Sequence, residues 1–161
     1  MISRLGFYSC TLIFLFALKV QAQKNADVQT NQGPLFKKGE RGPADRFTGT
    51  VWVNRLVTET DSLDCTIANV TFEPGARTNW HNHPGGQVLL ISEGNGYYQE
   101  KGKPIQLIRK GDVIKCSPGV EHWHGASPES TLTHLAIATN AKKGAAVWLQ
   151  KVTDEEYRVK K

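Results

Sequence analysis

Gly75-Ala76-Arg77-Thr78-Asn79-Trp80-His81-Asn82-His83-Pro84-Gly85-Gly86-Gln87 is the stretch on which the reading of this chain turns. His81 and His83 are two residues apart, and in an extended strand such residues point to the same face. Two imidazoles side by side on one face suit one metal ion. Pro84-Gly85-Gly86 then turns the chain. Gln87 opens the next strand, so its side-chain oxygen can come back across the turn toward the same ion. Alone, a His-x-His pair is weak evidence, because hydrogen-bonded structural histidines read the same way.

A second cluster strengthens it. Pro118-Gly119-Val120-Glu121-His122-Trp123-His124 again delivers a histidine from a Pro-Gly turn to the start of a strand. The fifth histidine, His134, lies in Leu132-Thr133-His134-Leu135-Ala136-Ile137. Leu132, His134, Ala136 and Ala138 share one face of that run. Around these clusters the chain is a series of short β-branched and aromatic runs: Val51–Val53, Thr66–Phe72, Val88–Ile91, Gly96–Glu100, Ile105–Ile108 and Asp112–Cys116. Gly/Pro turns separate them, including Glu73-Pro74-Gly75, Glu93-Gly94-Asn95-Gly96 and Lys110-Gly111-Asp112. Strands at this spacing predict an all-β sandwich or barrel. The one helix candidate is terminal, where Thr153-Asp154-Glu155-Glu156 has capping-box spacing. Trp80 and Trp123 alternate with the histidines, so they face the opposite side and pack there.

The 161 residues amount to one domain. Hydrophobic residues at 39% and charged residues at 22% fit a folded chain and exclude a disordered one. The single long apolar run is N-terminal. Arg4 precedes Leu5–Leu18, and Val20-Gln21-Ala22 supplies a cleavage site, the pattern of a secretory signal peptide. That run is too short for a stable membrane span. The chain is therefore expected to be exported, periplasmic or secreted, after cleavage near Ala22. The expected divisions are signal peptide 1–22, flexible arm 23–45, barrel domain 46–152 and tail 153–161. Loss of Arg4 and Lys19 lowers the net charge from +5 to +3, and no basic helix accompanies it, which argues against a nucleic-acid partner. Cys10 goes with the signal peptide. Cys65 and Cys116 remain, either bridged, as export permits, or as small buried thiols.

The stretch Gly75–Gln87, followed by Gly94, resembles the first cupin motif, and Gly111–His122 resembles the second. The resemblance covers roughly 47–152 and implies a double-stranded β-helix (jelly-roll) barrel with a short C-terminal helix. It also implies one metal ion held by His81, His83, Gln87 and His122. Gln87 stands where most cupins have an acidic ligand, so either a neutral amide binds or a water takes its place. A narrower resemblance is carried by Phe47–Val51, Val70–Thr78, His122–Ala126, Thr133–Ile137 and the Trp148–Tyr157 segment. These look like the small bacterial cupins that act as manganese-dependent hydroxynitrile lyases, related to cupins fused to carboxymuconolactone-decarboxylase-like domains. That likeness implies a divalent ion, manganese first, with iron, nickel, cobalt or zinc as alternatives. In that likeness His124 and His134 line the cavity without binding the metal. Beside a metal site each is either a candidate base or a satisfied core residue, and Thr78, upstream of the ligand pair on the same strand, either holds a substrate oxygen or simply suits the strand. The implied function is cleavage of a small-molecule cyanohydrin. Dioxygenase or decarboxylase chemistry, or a non-catalytic exported binding module, are the alternatives. Exposed strand edges further lead us to expect a homo-oligomer, dimer or tetramer.

Overall fold

The computed structural model describes residues 33–144 and 146–158. The expected signal peptide, Cys10 and the arm up to residue 32 lie outside the described residues. In chain order the strands are β1 (Glu40–Arg41), β2 (Phe47–Thr48), β3 (Val51–Val57), β4 (Cys65–Phe72), β5 (Arg77–Thr78), β6 (His81–Asn82), β7 (Gln87–Glu100), β8 (Gln106–Arg109), β9 (Val113–Cys116), β10 (His122–Ala126), β11 (Leu132–Thr139) and β12 (Val147–Trp148). A single 3-10 turn at Ala141–Lys143 and one α-helix, α1 (Asp154–Tyr157), complete the described elements. No helix among the described residues is long and apolar enough to cross a membrane.

The chain forms an all-β barrel from two antiparallel sheets that share β7. One sheet runs β1-β3-β4-β11-β7-β9. In the other, β8, β7 and β10 lie side by side; β10 then pairs β5 and β6, which pair β2 and β12. The strands expected over Val88–Ile91 and Gly96–Glu100 are thus one 14-residue strand, and Glu93-Gly94-Asn95-Gly96 is not a turn. The reason is a corner. Ser92 is an extra residue where the β7–β11 register shifts, and its Oγ donates to the Thr133 carbonyl at 3.1 Å. Gly94 follows at φ +71°, and a Cβ there would stand 1.9 Å from the Thr131 carbonyl oxygen. A bulge and a glycine let β7 bend from one sheet into the other.

Register arranges the interior in rows, since residues directly opposite in an antiparallel sheet share a face. The row Val51–Phe72–Leu132 is fully buried and apolar. The next row is Val53–Val70–His134, and the one beyond is Arg55–Ala68–Ala136. Large apolar side chains therefore close one end, and the interior becomes polar and small toward the other. Outside the second sheet, Trp80, Trp123, Val152 and Tyr157 form a separate cluster, as strand alternation predicted for the two tryptophans. The expected capping box of α1 forms through Thr153 and Glu156. Tyr157 Oη donates to the Ala126 carbonyl at 2.7 Å, and Arg77 Nη2 donates to the Val152 carbonyl at 3.0 Å. These bonds tie the C-terminal segment onto β10 and β5.

Two further sequence readings meet the structure here. The stretch read as a flexible arm, 23–45, contains β1, which pairs with Val53 and Trp52 of β3. Cys65 and Cys116 are both free thiols; burial pushes the Cys116 thiol up to about 11.

Candidate functional site

β6 and β10 set the site. Their register places His81 directly opposite His122, and Trp148 of β12 opposite His81 on the other side. His83 follows on the turn that leads to Gln87 at the head of β7. The ring nitrogens that His81, His83 and His122 offer all lie within 4.8 Å of one another. His81 Nδ1 lies 3.0 Å from the Asn79 carbonyl, and His122 Nδ1 lies 2.9 Å from the Val120 carbonyl. A carbonyl can only accept, so both Nδ1 atoms carry the proton and both Nε2 atoms present a lone pair. His83 Nε2 is buried with no hydrogen-bond partner. Gln87 Oε1 faces His122 Nε2 at 3.4 Å, so two acceptors meet there. Converging lone pairs with nothing to bind are costly in a buried place, and a cation held among them relieves that cost. The residues present therefore fit a divalent metal ion, and the imidazole-rich donor set suits a first-row transition metal.

Electrostatics agree. Burial, then the neighbouring His122, pushes His81 well below the ordinary histidine range. The same two causes bring His83 to about 4, and burial also lowers His122. Neutral imidazole is the form that ligates a metal.

A second pair of histidines adjoins the first. His124, two residues along β10 from His122, is 4% exposed, and His134 is fully buried. His134 Nε2 lies 3.3 Å from His124 Nδ1, so one proton is shared between the rings. His134 Nδ1 has no partner. Burial lowers both, His134 to about 4 and His124 well below the usual range, with His134 as the next cause for His124. The Phe72 ring packs edge-on to His124 at 5.6 Å and lies 5.5 Å from His134. Thr78 Oγ1 accepts the His124 backbone N–H at 3.1 Å.

All these groups except His122 line one cavity of about 170 Å³, small enough to admit only a small molecule. His81, His83, Gln87, Thr78, His124 and His134 thus share one cavity, and His122 is outside its lining. Sequence reasoning missed the other walls. Phe72 and Val70 were accessible to it through the alternation of Thr66–Phe72. Trp148 was not: β12 is two residues long, yet its indole stacks on His81 at 4.8 Å. Three arginines of the cavity mouth, Arg41, Arg46 and Arg55, were missed as well.

Residues 68–137 match the Cupin domain family. The chain is 49% identical over 118 residues to the (R)-mandelonitrile lyase of Granulicella tundricola, covering 73% of this chain and 90% of that protein. It is 50% identical to a solved cupin-like protein from Thermotoga maritima, with a TM-score of 0.76 over 78% of this chain and 96% of that one. A DMSP lyase from Ruegeria pomeroyi shares the fold, at 21% identity and a TM-score of 0.55 over 71% of this chain and 59% of that one.

Proposed function

The chain belongs to the cupin family, and we propose that its cavity is the active site of a metal-dependent lyase that cleaves a cyanohydrin to an aldehyde and cyanide. The observation that carries this reading is the 49% identity to a protein named (R)-mandelonitrile lyase. The geometry supports it with a pair of neutral imidazoles beside a metal-ligand set.

In this reading His81, His83 and His122 hold the ion, with Gln87 as a fourth, uncharged ligand, and manganese as the metal. A divalent ion bound there supplies a double positive charge that no carboxylate ligand offsets, which stabilises a departing anion. The chain's own residues do the rest. The cyanohydrin hydroxyl donates to the His124 ring, which is neutral at pH 7 and free to accept a proton. With the shared proton on His124 Nδ1, His134 Nε2 accepts it and leaves Nε2 of the His124 ring as the basic nitrogen. Thr78 Oγ1 is anchored by the His124 amide, which leaves its own proton to donate to the substrate oxygen. As the hydroxyl proton leaves, the carbonyl forms and the bond to the nitrile carbon breaks. The proton held by the histidine pair returns to cyanide. Phe72, Val70 and Val53 supply an apolar wall for the remainder of the aldehyde and keep water from it.

The test is direct. Manganese-loaded protein is given mandelonitrile, with benzaldehyde followed optically and cyanide measured separately. Equal release of both, lost on chelation, is expected. No cyanide from any cyanohydrin with the metal fully loaded would remove the lyase reading and leave a metal-binding cupin.

A further inference from the structure

The cavity mouth is built for an anion. Arg41, Arg46 and Arg55 line it, and Glu40 is the one carboxylate that lines it with them; Glu59 lines an adjoining groove that shares Arg55, His83 and Gln87. Among the described residues none of the three arginines is in an ion pair, whereas Arg77, on the outer side, is paired with Asp154.

Arg55 is the most informative of them. It sits on the inward face of β3, in line with Val51 and Val53, at a position where the strand could carry another apolar residue. Its neighbours across the sheet are Ala68 and then Ala136. Ala68 and Ala136 are small, and Arg55 itself is exposed while lining the cavity. This row is next to the one that carries His134, about 7 Å along the strands. Arg46 is held differently: its guanidinium lies over the Trp148 ring at 5.7 Å, and that ring stacks on His81. Arg41 Nη2 lies 3.5 Å from Thr50 Oγ1. Arg55 thus stands one row beyond Val53, Val70 and His134, on the side away from the apolar Val51–Phe72–Leu132 row.

We propose that the substrate carries a carboxylate at the end away from the reacting carbon, bound by Arg55 at the cavity mouth with Arg41 and Arg46 beside it. The guanidinium fork matches a carboxylate in shape and charge. The inference rests on the lyase reading for the hydroxyl end of the substrate and on the mouth alone for the carboxylate end.

The probe is a pair of unreactive alcohols, 4-(hydroxymethyl)benzoate and benzyl alcohol, titrated into the metal-loaded protein by calorimetry. The carboxylate should bind on the order of tenfold or more tightly, and the advantage should shrink with added salt. Arg55→Gln should abolish most of that preference and Arg55→Lys should keep part of it, with metal content unchanged in both. Equal affinity for the two alcohols would overturn the proposal. So would a preference that survives in Arg55→Gln, since the carboxylate would then be bound elsewhere, at the metal included. Because no turnover is measured, failure of the lyase reading leaves this outcome legible, and cyanide release without a carboxylate preference would sink only the anion site.

Discussion

Burial holds His134 down to about 4, and its Nδ1 has no partner. An unfolded histidine titrates near 6.5. Between those values the unfolded chain binds a proton that the folded chain refuses, so stability falls as pH drops from about 6.5 toward 4 and levels off below it. The contribution of this one residue approaches about 1.4 kcal/mol per pH unit. Urea midpoints of the chelated protein, measured from pH 7 to pH 4.5, should therefore fall, and His134→Asn should fall less steeply. Parallel slopes would show that His134 takes up its proton in the folded state as readily as in the unfolded one. The same residue and His124 carry the chemical prediction. Neither is placed among the metal ligands, so His124→Ala and His134→Ala should retain metal while kcat drops on the order of 10²–10⁴-fold, the usual contribution of an acid–base group. Metal loss in the His124 variant, measured by elemental analysis, would make it a ligand and reopen the role of His122.

β7 joins the two sheets, and its corner is where the barrel can be broken locally. Gly94 and Gly102 both have positive φ, +71° and +77°, but a Cβ at Gly94 would strike the Thr131 carbonyl at 1.9 Å while one at Gly102 would meet nothing within 4 Å. Gly102→Ala should cost about 1 kcal/mol, the left-handed penalty alone. Gly94→Ala should cost at least about 2 kcal/mol more than that, because backbone must move. Equal urea midpoints for the two variants would mean the corner yields freely. This corner also marks where reading the chain went astray. Glycine and asparagine at 93–96 look like a hairpin turn, and only the partner strand β11 reveals that they bend a continuous strand. The site was more legible than the corner. Period-2 alternation places His81 with His83 and His122 with His124 on inward faces, and turns Trp80 and Trp123 outward. Trp148 was illegible for a physical reason: its place in the cavity depends on pairing with β6, distant in sequence, and no local pattern records it. Arg55 shares the alternation of Val51 and Val53, but a charged residue at the end of that run does not read as part of an interior face.

Both sheets have open edges. β8 and β9 each pair only with β7 among the described residues, and they carry Leu107 and Val113 at 45% and 54% exposure. Unprotected edges with exposed apolar side chains favour association, so light scattering at micromolar concentration should give a dimer or tetramer, and a monomer would remove that expectation. The other property of the whole molecule is that its stability is coupled to its ion. Five histidines are buried inside the barrel, where a jelly roll of this size otherwise packs apolar side chains. Three of them converge their nitrogens to within 4.8 Å, an arrangement that the protein holds against lone-pair repulsion when no cation is bound. A metal that binds the folded chain and not the unfolded one stabilises it by about 2.7 kcal/mol at a hundredfold excess over its Kd. For a domain of this length that is a Tm difference on the order of 10 °C. Chelation should lower Tm by that order, and readdition of manganese should restore it. His81→Ala and His122→Ala should hold little metal and show almost no response to either treatment. Gln87→Glu should keep the metal and a shift at least as large, because it adds a carboxylate to the ligand set. If the chelated and loaded wild-type proteins melt together, with metal content verified in each, the three imidazoles do not form a metal site.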